Sequence, residues 1–163
     1  MDLKASYLFV LLKYFLLVLI FSGCAVSTPY RSMSSLSPDG TVIVSVTHAI
    51  VKDEGRSLFD RYVDQIIASL SRQPGLVGYR VRTKLLGNEV WTMTYWKDES
   101  ARAAFVSSEI HTRAMKAGIP TLVSARFYRF ERPSSSRELT WEEALYELQA
   151  KGRSYEFGKY EPK

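Results

Sequence analysis

One cysteine and two histidines stand in a chain of 163 residues. A single cysteine excludes an intrachain disulfide and a thiolate zinc cluster, and two histidines without thiolate partners make a poor metal set. The chain has no glycine-rich phosphate loop, no Gly-x-Ser-x-Gly elbow and no His-Glu-x-x-His pair, the marks of phosphate cradling, of a serine nucleophile and of a zinc peptidase. It also lacks a dinucleotide fingerprint, so flavin and nicotinamide are not expected and no cofactor is assigned. Excess charge is modest: 22 Lys and Arg face 17 Asp and Glu, a net +5, and the basic residues are scattered. That is a mildly basic surface with no nucleic-acid footprint. What is abundant is apolar and aromatic, with 10 Tyr, 8 Phe and 3 Trp in a 46% hydrophobic chain. Such side chains offset ordering entropy by burial, so one folded domain is expected and a multidomain enzyme is excluded by length.

The lone Cys24 matters by position. Before it come Lys4 and Lys13, the apolar run Tyr14 to Phe21, and then Ser22 and Gly23. This is the layout of a secretory signal over residues 1–23, and its apolar run is shorter than the roughly 20 residues of a comfortable membrane span. Reading through Lys13 lengthens the run, so a retained anchor stays open beside a cleaved signal. The Ser-Gly-Cys ending resembles the lipobox of bacterial lipoproteins, with Phe21 where Leu is usual. The resemblance implies acylation of Cys24, a lipid anchor in the membrane and, with Ala rather than Asp at position 25, the outer membrane of a bacterial envelope, facing the periplasm.

Residues 24–40 are rich in Ser and Pro, carry no apolar period and read as a tether. The folded unit is expected over 41–132. Thr41 to Val51 is dense in β-branched residues, as in a strand covered on both faces. From Ser57, Phe59, Tyr62 or Val63, Ile66 and Leu70 recur at helical spacing, and Pro74-Gly75 stops the helix. Val77, Tyr79, Val81 and Thr83 alternate with Gly78, Arg80 and Arg82, and Gly87-Asn88 turns the chain into a second strand, Glu89 to Trp96. Asp98 is placed to cap a helix from Glu99 to about Lys116, and a last strand runs from Thr121 to Phe130. A C-terminal extension, 133–163, holds one helix opened by the capping box Thr140-Trp-Glu-Glu143. The order β-α-β-β-α-β is the ferredoxin-like α+β sandwich. Apolar residues on both faces of its sheet predict a partner subunit packed sheet to sheet.

Pro74-Gly-Leu-Val-Gly-Tyr79, the strand end Tyr95-Trp96, the acidic helix start Asp98-Glu99 and the segment Ser107-Ser-Glu-Ile-His111 together resemble the antibiotic-biosynthesis monooxygenase superfamily. The resemblance implies a dimeric α+β barrel, hence a homodimer. The activities it brings are cofactor-free oxygenation of electron-rich phenols and, in another branch, haem degradation. That branch relies on an Asn late in strand one, a Trp in the second helix and a His further along it. Placing Trp96 on the family's strand-ending Trp puts His48, Phe105 and Met115 at those positions, and all three depart. His111, one helical turn before Met115, still offers an imidazole.

Cofactor-free oxygenation needs a base near neutral pH, which points to His48 and His111 as candidate catalytic residues. If both face inward they flank one cavity between sheet and helices, with Trp91, Tyr95, Phe105 and Met115 as its wall for a small hydrophobic or aromatic ligand. Arg80 and Arg82 share a strand face, set either to meet a carboxylate or phenolate or to lie on a solvated or intersubunit surface. Two functions follow. One is a cofactor-independent monooxygenase on aromatic or quinol-type substrates; the other is a non-catalytic module that retains a lipid, hydrophobic metabolite or haem. The first requires a closed apolar cavity with a histidine facing in, the second a barrel filled by side chains.

Overall fold

The computed structural model describes residues 25–35 and 39–157. Its strands are β1 (Ala25–Ser27), β2 (Arg31–Ser32), β3 (Thr41–Val51), β4 (Leu76–Lys84), β5 (Glu89–Trp96), β6 (Leu122–Pro133) and β7 (Arg153–Glu156). Its helices are α1 (Arg56–Leu70), α2 (Glu99–Val106), α3 (Glu109–Gly118) and α4 (Trp141–Lys151). One antiparallel sheet runs β1-β4-β5-β3-β6-β7, with β2 also on β4. The centre of this order, β4-β5-β3-β6, is the ferredoxin-like sheet expected from the periodicities.

The single helix expected from Glu99 to Lys116 is two. Ser108 takes extended backbone and its hydroxyl accepts from the His111 N–H, capping α3, while the Ser107 hydroxyl bonds back to the Ala103 carbonyl at 2.9 Å and closes α2. Adjacent serines offer the backbone these partners in place of helix continuation. In β4 the register shifts between Leu76 and Gly78, a bulge that sends Val77 to the face opposite Tyr79, where alternation alone put them together.

Each face of the sheet builds its own core. Ile43, Tyr79 and Trp96 pack beneath Leu70 of α1 and Phe105 of α2. On the other face Val42, Val44, Val46, Val77, Met93 and Tyr95 pack beneath Trp141, Ala144 and Leu148 of α4. The expected occupant of that second face was a partner's sheet; the chain instead lays its own C-terminal helix across it. Trp141, Ala144, Leu145 and Leu148 fall at three- and four-residue steps, so one stripe of α4 meets the sheet. The Thr140–Glu143 capping box is formed in full.

The residues expected to be a tether add to the same face. Ala25–Ser27 pairs with Lys84, Thr83 and Arg82, and Arg31–Ser32 pairs with Tyr79 and Gly78. Between them Tyr30 meets Tyr95 edge to face at 5.4 Å. Glycine at 78 permits this, because a Cβ there would overlap the Tyr30 phenol and the Arg31 carbonyl. Trp141 Nε1 donates to Ser27 Oγ at 2.6 Å, tying β1 to α4.

Candidate functional site

Residues 89, 91, 93 and 95 of β5 point to the α4 face. There the His48 ring lies flat on Trp91, centroids 4.8 Å apart, with Nε2 3.0 Å from Glu89 Oε2. Lys84 Nζ donates to the other Glu89 oxygen at 3.0 Å, and the Arg82 guanidinium stands 5.5 Å from the Trp91 ring centre. Burial holds His48 below the usual imidazole range against the pull of Glu89, so at neutral pH its Nε2–H donates to that carboxylate. Burial pushes the Glu89 carboxyl up, but the Lys84 ammonium outweighs it and the group stays below its ordinary value.

His111 lies on the opposite side of the sheet. Its ring meets Phe105 edge to face at 5.0 Å, and Phe105 stacks on Trp96 at 5.1 Å. Nδ1 is 3.0 Å from the Val106 carbonyl, which accepts, so in the neutral ring the free lone pair is on Nε2. Burial lowers its pKa as well. The sheet therefore stands between the two histidines, and the shared cavity expected for them does not form.

The expected cavity wall is likewise divided. Trp91 is sandwiched between His48 and Arg82. Tyr95 is core: its hydroxyl accepts from the Leu139 N–H at 3.0 Å and lies 3.1 Å from Met93 Sδ. Phe105 belongs to the helix side, and Met115 is half-buried one turn past His111 on α3. Cys24 lies outside the described residues.

Of the clefts among the described residues, two border these cores, and neither of these two is lined by a histidine. One, of about 370 Å³, runs along the outside of α2 between Gln73, Lys97, Ala101 and Phe105. The larger, about 440 Å³, opens between β1, β4 and the start of α4, with Ser27, Arg80, Arg82 and Trp141 in its lining. The Arg80 guanidinium stands 5.8 Å from the Trp141 ring centre and its Nη1 reaches the Leu139 carbonyl at 3.4 Å. Its buried Nε has no hydrogen-bond partner among the described residues. Arg-x-Arg on a strand is visible in the sequence; that α4 roofs it is not, because nothing local says where the C-terminal helix docks.

Both histidines titrate lower in the fold than in an open chain, where imidazole titrates near 6.5. Between that value and their folded values the unfolded state binds more protons, so stability is complete above about pH 6.5 and falls as pH drops through the window. The urea midpoint is expected to be lower at pH 5 than at pH 7.5. His111→Gln, which keeps a neutral donor, should flatten the difference. An unchanged slope in the variant refutes the assignment.

The sequence profile of the antibiotic biosynthesis monooxygenase family matches residues 41–117. No curated protein matches the chain by sequence. Among solved structures the fold is similar to a conserved protein from Methanosarcina mazei Go1, at 18% identity and TM-score 0.52, covering 57% of this chain and 94% of that one. It is similar to an antibiotic biosynthesis monooxygenase at 11% identity and TM-score 0.51, covering 54% and 95%. A candidate monooxygenase from Lactobacillus acidophilus NCFM gives 15% identity and TM-score 0.51 over 68% of this chain, which spans only 54% of that protein's length. At such identities the likeness carries the fold and not an activity. The strand and helix order from Thr41 agrees with the profile: residues 41–117 of this chain are an antibiotic biosynthesis monooxygenase domain.

Proposed function

We propose that the chain is a membrane-tethered binding module on the monooxygenase fold, which takes a small organic carboxylate in the cleft between β1, β4 and the start of α4. The observation that carries it is the pair Arg80 and Arg82 in that cleft, neither in an ion pair among the described residues. Two residues apart on one strand face, their Cα atoms stand about 7 Å apart. Guanidinium forks at that spacing suit a carboxylate, and a cleft of about 440 Å³ suits a small ligand. Glu138 and Glu142 on the rim disfavour polyanions, which selects a singly charged ligand.

The test is ligand-observed NMR on the full chain in detergent, with benzoate as probe and benzyl alcohol as its neutral counterpart. Benzoate is expected to bind, benzyl alcohol to bind at least tenfold more weakly, and the double variant Arg80→Ala, Arg82→Ala to lose at least tenfold for benzoate. Equal binding of the two probes, or benzoate binding unchanged in the double variant, overturns the reading.

A second reading is favoured by His111, whose ring is oriented by the Val106 carbonyl with Nε2 left as a neutral base. On it, the helix side would deprotonate an electron-rich quinol for cofactor-free oxygenation. Quinol-dependent oxygen uptake that disappears in His111→Gln supports it; uptake equal to the protein-free blank removes it.

Anchoring at Cys24, in a bacterial envelope, rests on the Ser22-Gly23-Cys24 ending and the apolar run before it. A homodimer, which the family resemblance implies, then forms with α4 docked on its own sheet or exchanged between copies, and not by bare sheet against bare sheet.

A further inference from the structure

The eight exposed large apolar side chains among the described residues are not spread evenly. Val26, Leu58, Leu85 and Leu86 belong to one end of the sheet. Leu85 and Leu86 form the tip of the β4–β5 hairpin, 54% and 61% exposed, where turns usually carry polar residues. Val26 pairs with Thr83 just below the tip. Leu58 sits in the first turn of α1, which Arg56 fastens beside the hairpin through the Gly87 carbonyl at 3.0 Å and Thr83 Oγ1 at 3.1 Å.

The same end receives the N-terminal segment. Ala25 is the register partner of Lys84, so residue 24 is one peptide from a residue paired next to the hairpin tip. One cross-strand gap and two steps along the tip put the Leu86 Cα within about 13 Å of that of Ala25. Residues 25–27 are thus no free spacer: they are zipped to the sheet edge.

We infer that the Leu85–Leu86 hairpin tip, with Val26 and Leu58 beside it, is a membrane-contacting surface that enters the interfacial region of a phospholipid bilayer. The inference rests on the proposed anchoring of the chain at its N-terminal segment. An anchor at residue 24 brings this end down to the bilayer, and apolar side chains of an interfacial element reach about 5–10 Å into it. The contact is apolar: Lys84 is paired with Glu89, Lys52 is bonded to the Pro120 carbonyl, and Asp53 and Glu54 stand nearby, so no basic patch calls for anionic lipid. The sheet then stands on the membrane by its β4–β5 end, and the Arg80 and Arg82 cleft opens beside the same edge, close to the bilayer.

The test is the full chain reconstituted in phosphatidylcholine vesicles, with and without bromine on the acyl chains. Leu86→Trp introduces a reporter at the tip. Ser135→Trp places one at the opposite end, about 35 Å away along the eleven-residue β3. Beyond the signal of the parent chain, Leu86→Trp fluorescence is expected to fall at least twofold in brominated vesicles and Ser135→Trp fluorescence to stay unchanged; Leu85→Trp repeats the tip measurement independently. If the chain floats with the vesicles while both tip reporters are unquenched, the tip contact is wrong and the anchoring stands. If it does not float, the anchoring fails and the inference with it.

Discussion

Leu148→Asp is expected to lower the stability of the chain by about 3–5 kcal/mol, the range for a buried large apolar side chain lost together with its packing. Leu148 is 3% exposed and sits with Ala144 on the stripe of α4 that meets Val42, Val44, Val46 and Met93. Aspartate there removes the apolar contact and buries a carboxylate among apolar side chains, while Lys151, one turn on, is held by Glu147 at 2.8 Å, so the helix lifts instead. For a chain of this size each kcal/mol moves the melting temperature by about 2–4 °C, so the melt should shift down by roughly 6–20 °C. Leu148→Met, which nearly conserves volume, should cost less than about 1.5 kcal/mol. Lifting α4 also uncovers the valine face and strips Trp141 from Ser27 and Arg80. The variant should bind a hydrophobic dye or self-associate, with Trp141 emission shifted to the red. A melt within 2 °C of the parent and an unshifted spectrum refute the docking of α4 described above.

That docking marks where the sequence stops being informative. Apolar residues on both faces of β3 say that both faces are covered, and the stripe Trp141, Leu145, Leu148 says that the C-terminal helix is buried. Neither says that the one covers the other, because a partner's sheet and an appended helix demand the same apolar pattern. The strands between Thr41 and Phe130 and helix α1 are legible since each is long enough to show a period, whereas the Ser107–Ser108 break that divides α2 from α3 is not. β1, β2 and β7 are not: they have three, two and four residues and exist because β4 and β6 offer free edges. The candidate site fails for a related reason. Alternation correctly groups His48 with Val44 and Val46, and helical spacing correctly groups His111 with Met115, but which sheet face the α2–α3 layer covers is a property of the assembled fold. Arg80 and Arg82 are the converse case: their shared face is legible, while the roof that turns the face into a cleft comes from a segment some sixty residues later.

Trp96→Ala is expected to cost about as much as Leu148→Asp, on the other side of the same sheet. Trp96 is 1% exposed, stacks on Phe105 and packs with Leu70, Leu76 and Tyr79, and its Nε1 donates to Thr94 Oγ1 at 2.9 Å. Truncation to alanine leaves a cavity in the helix-side core and frees the Thr94 hydroxyl, a loss of about 3–5 kcal/mol. Trp96→Phe keeps the stacked ring and loses chiefly the indole bond, so its cost should be nearer 1–2 kcal/mol. The consequences differ by face. Phe105 loses its support, and with it the ring against which His111 rests, so the pH 5 to 7.5 stability difference should shrink along with the melt. The β3 and β5 residues turned to α4 keep their packing, so benzoate binding by Arg80 and Arg82, measured well below the melting temperature, should stay within twofold of the parent. Loss of that binding in folded Trp96→Ala would mean that the two faces act as one unit, and the assignment of ligand binding to the α4 side alone would have to be withdrawn.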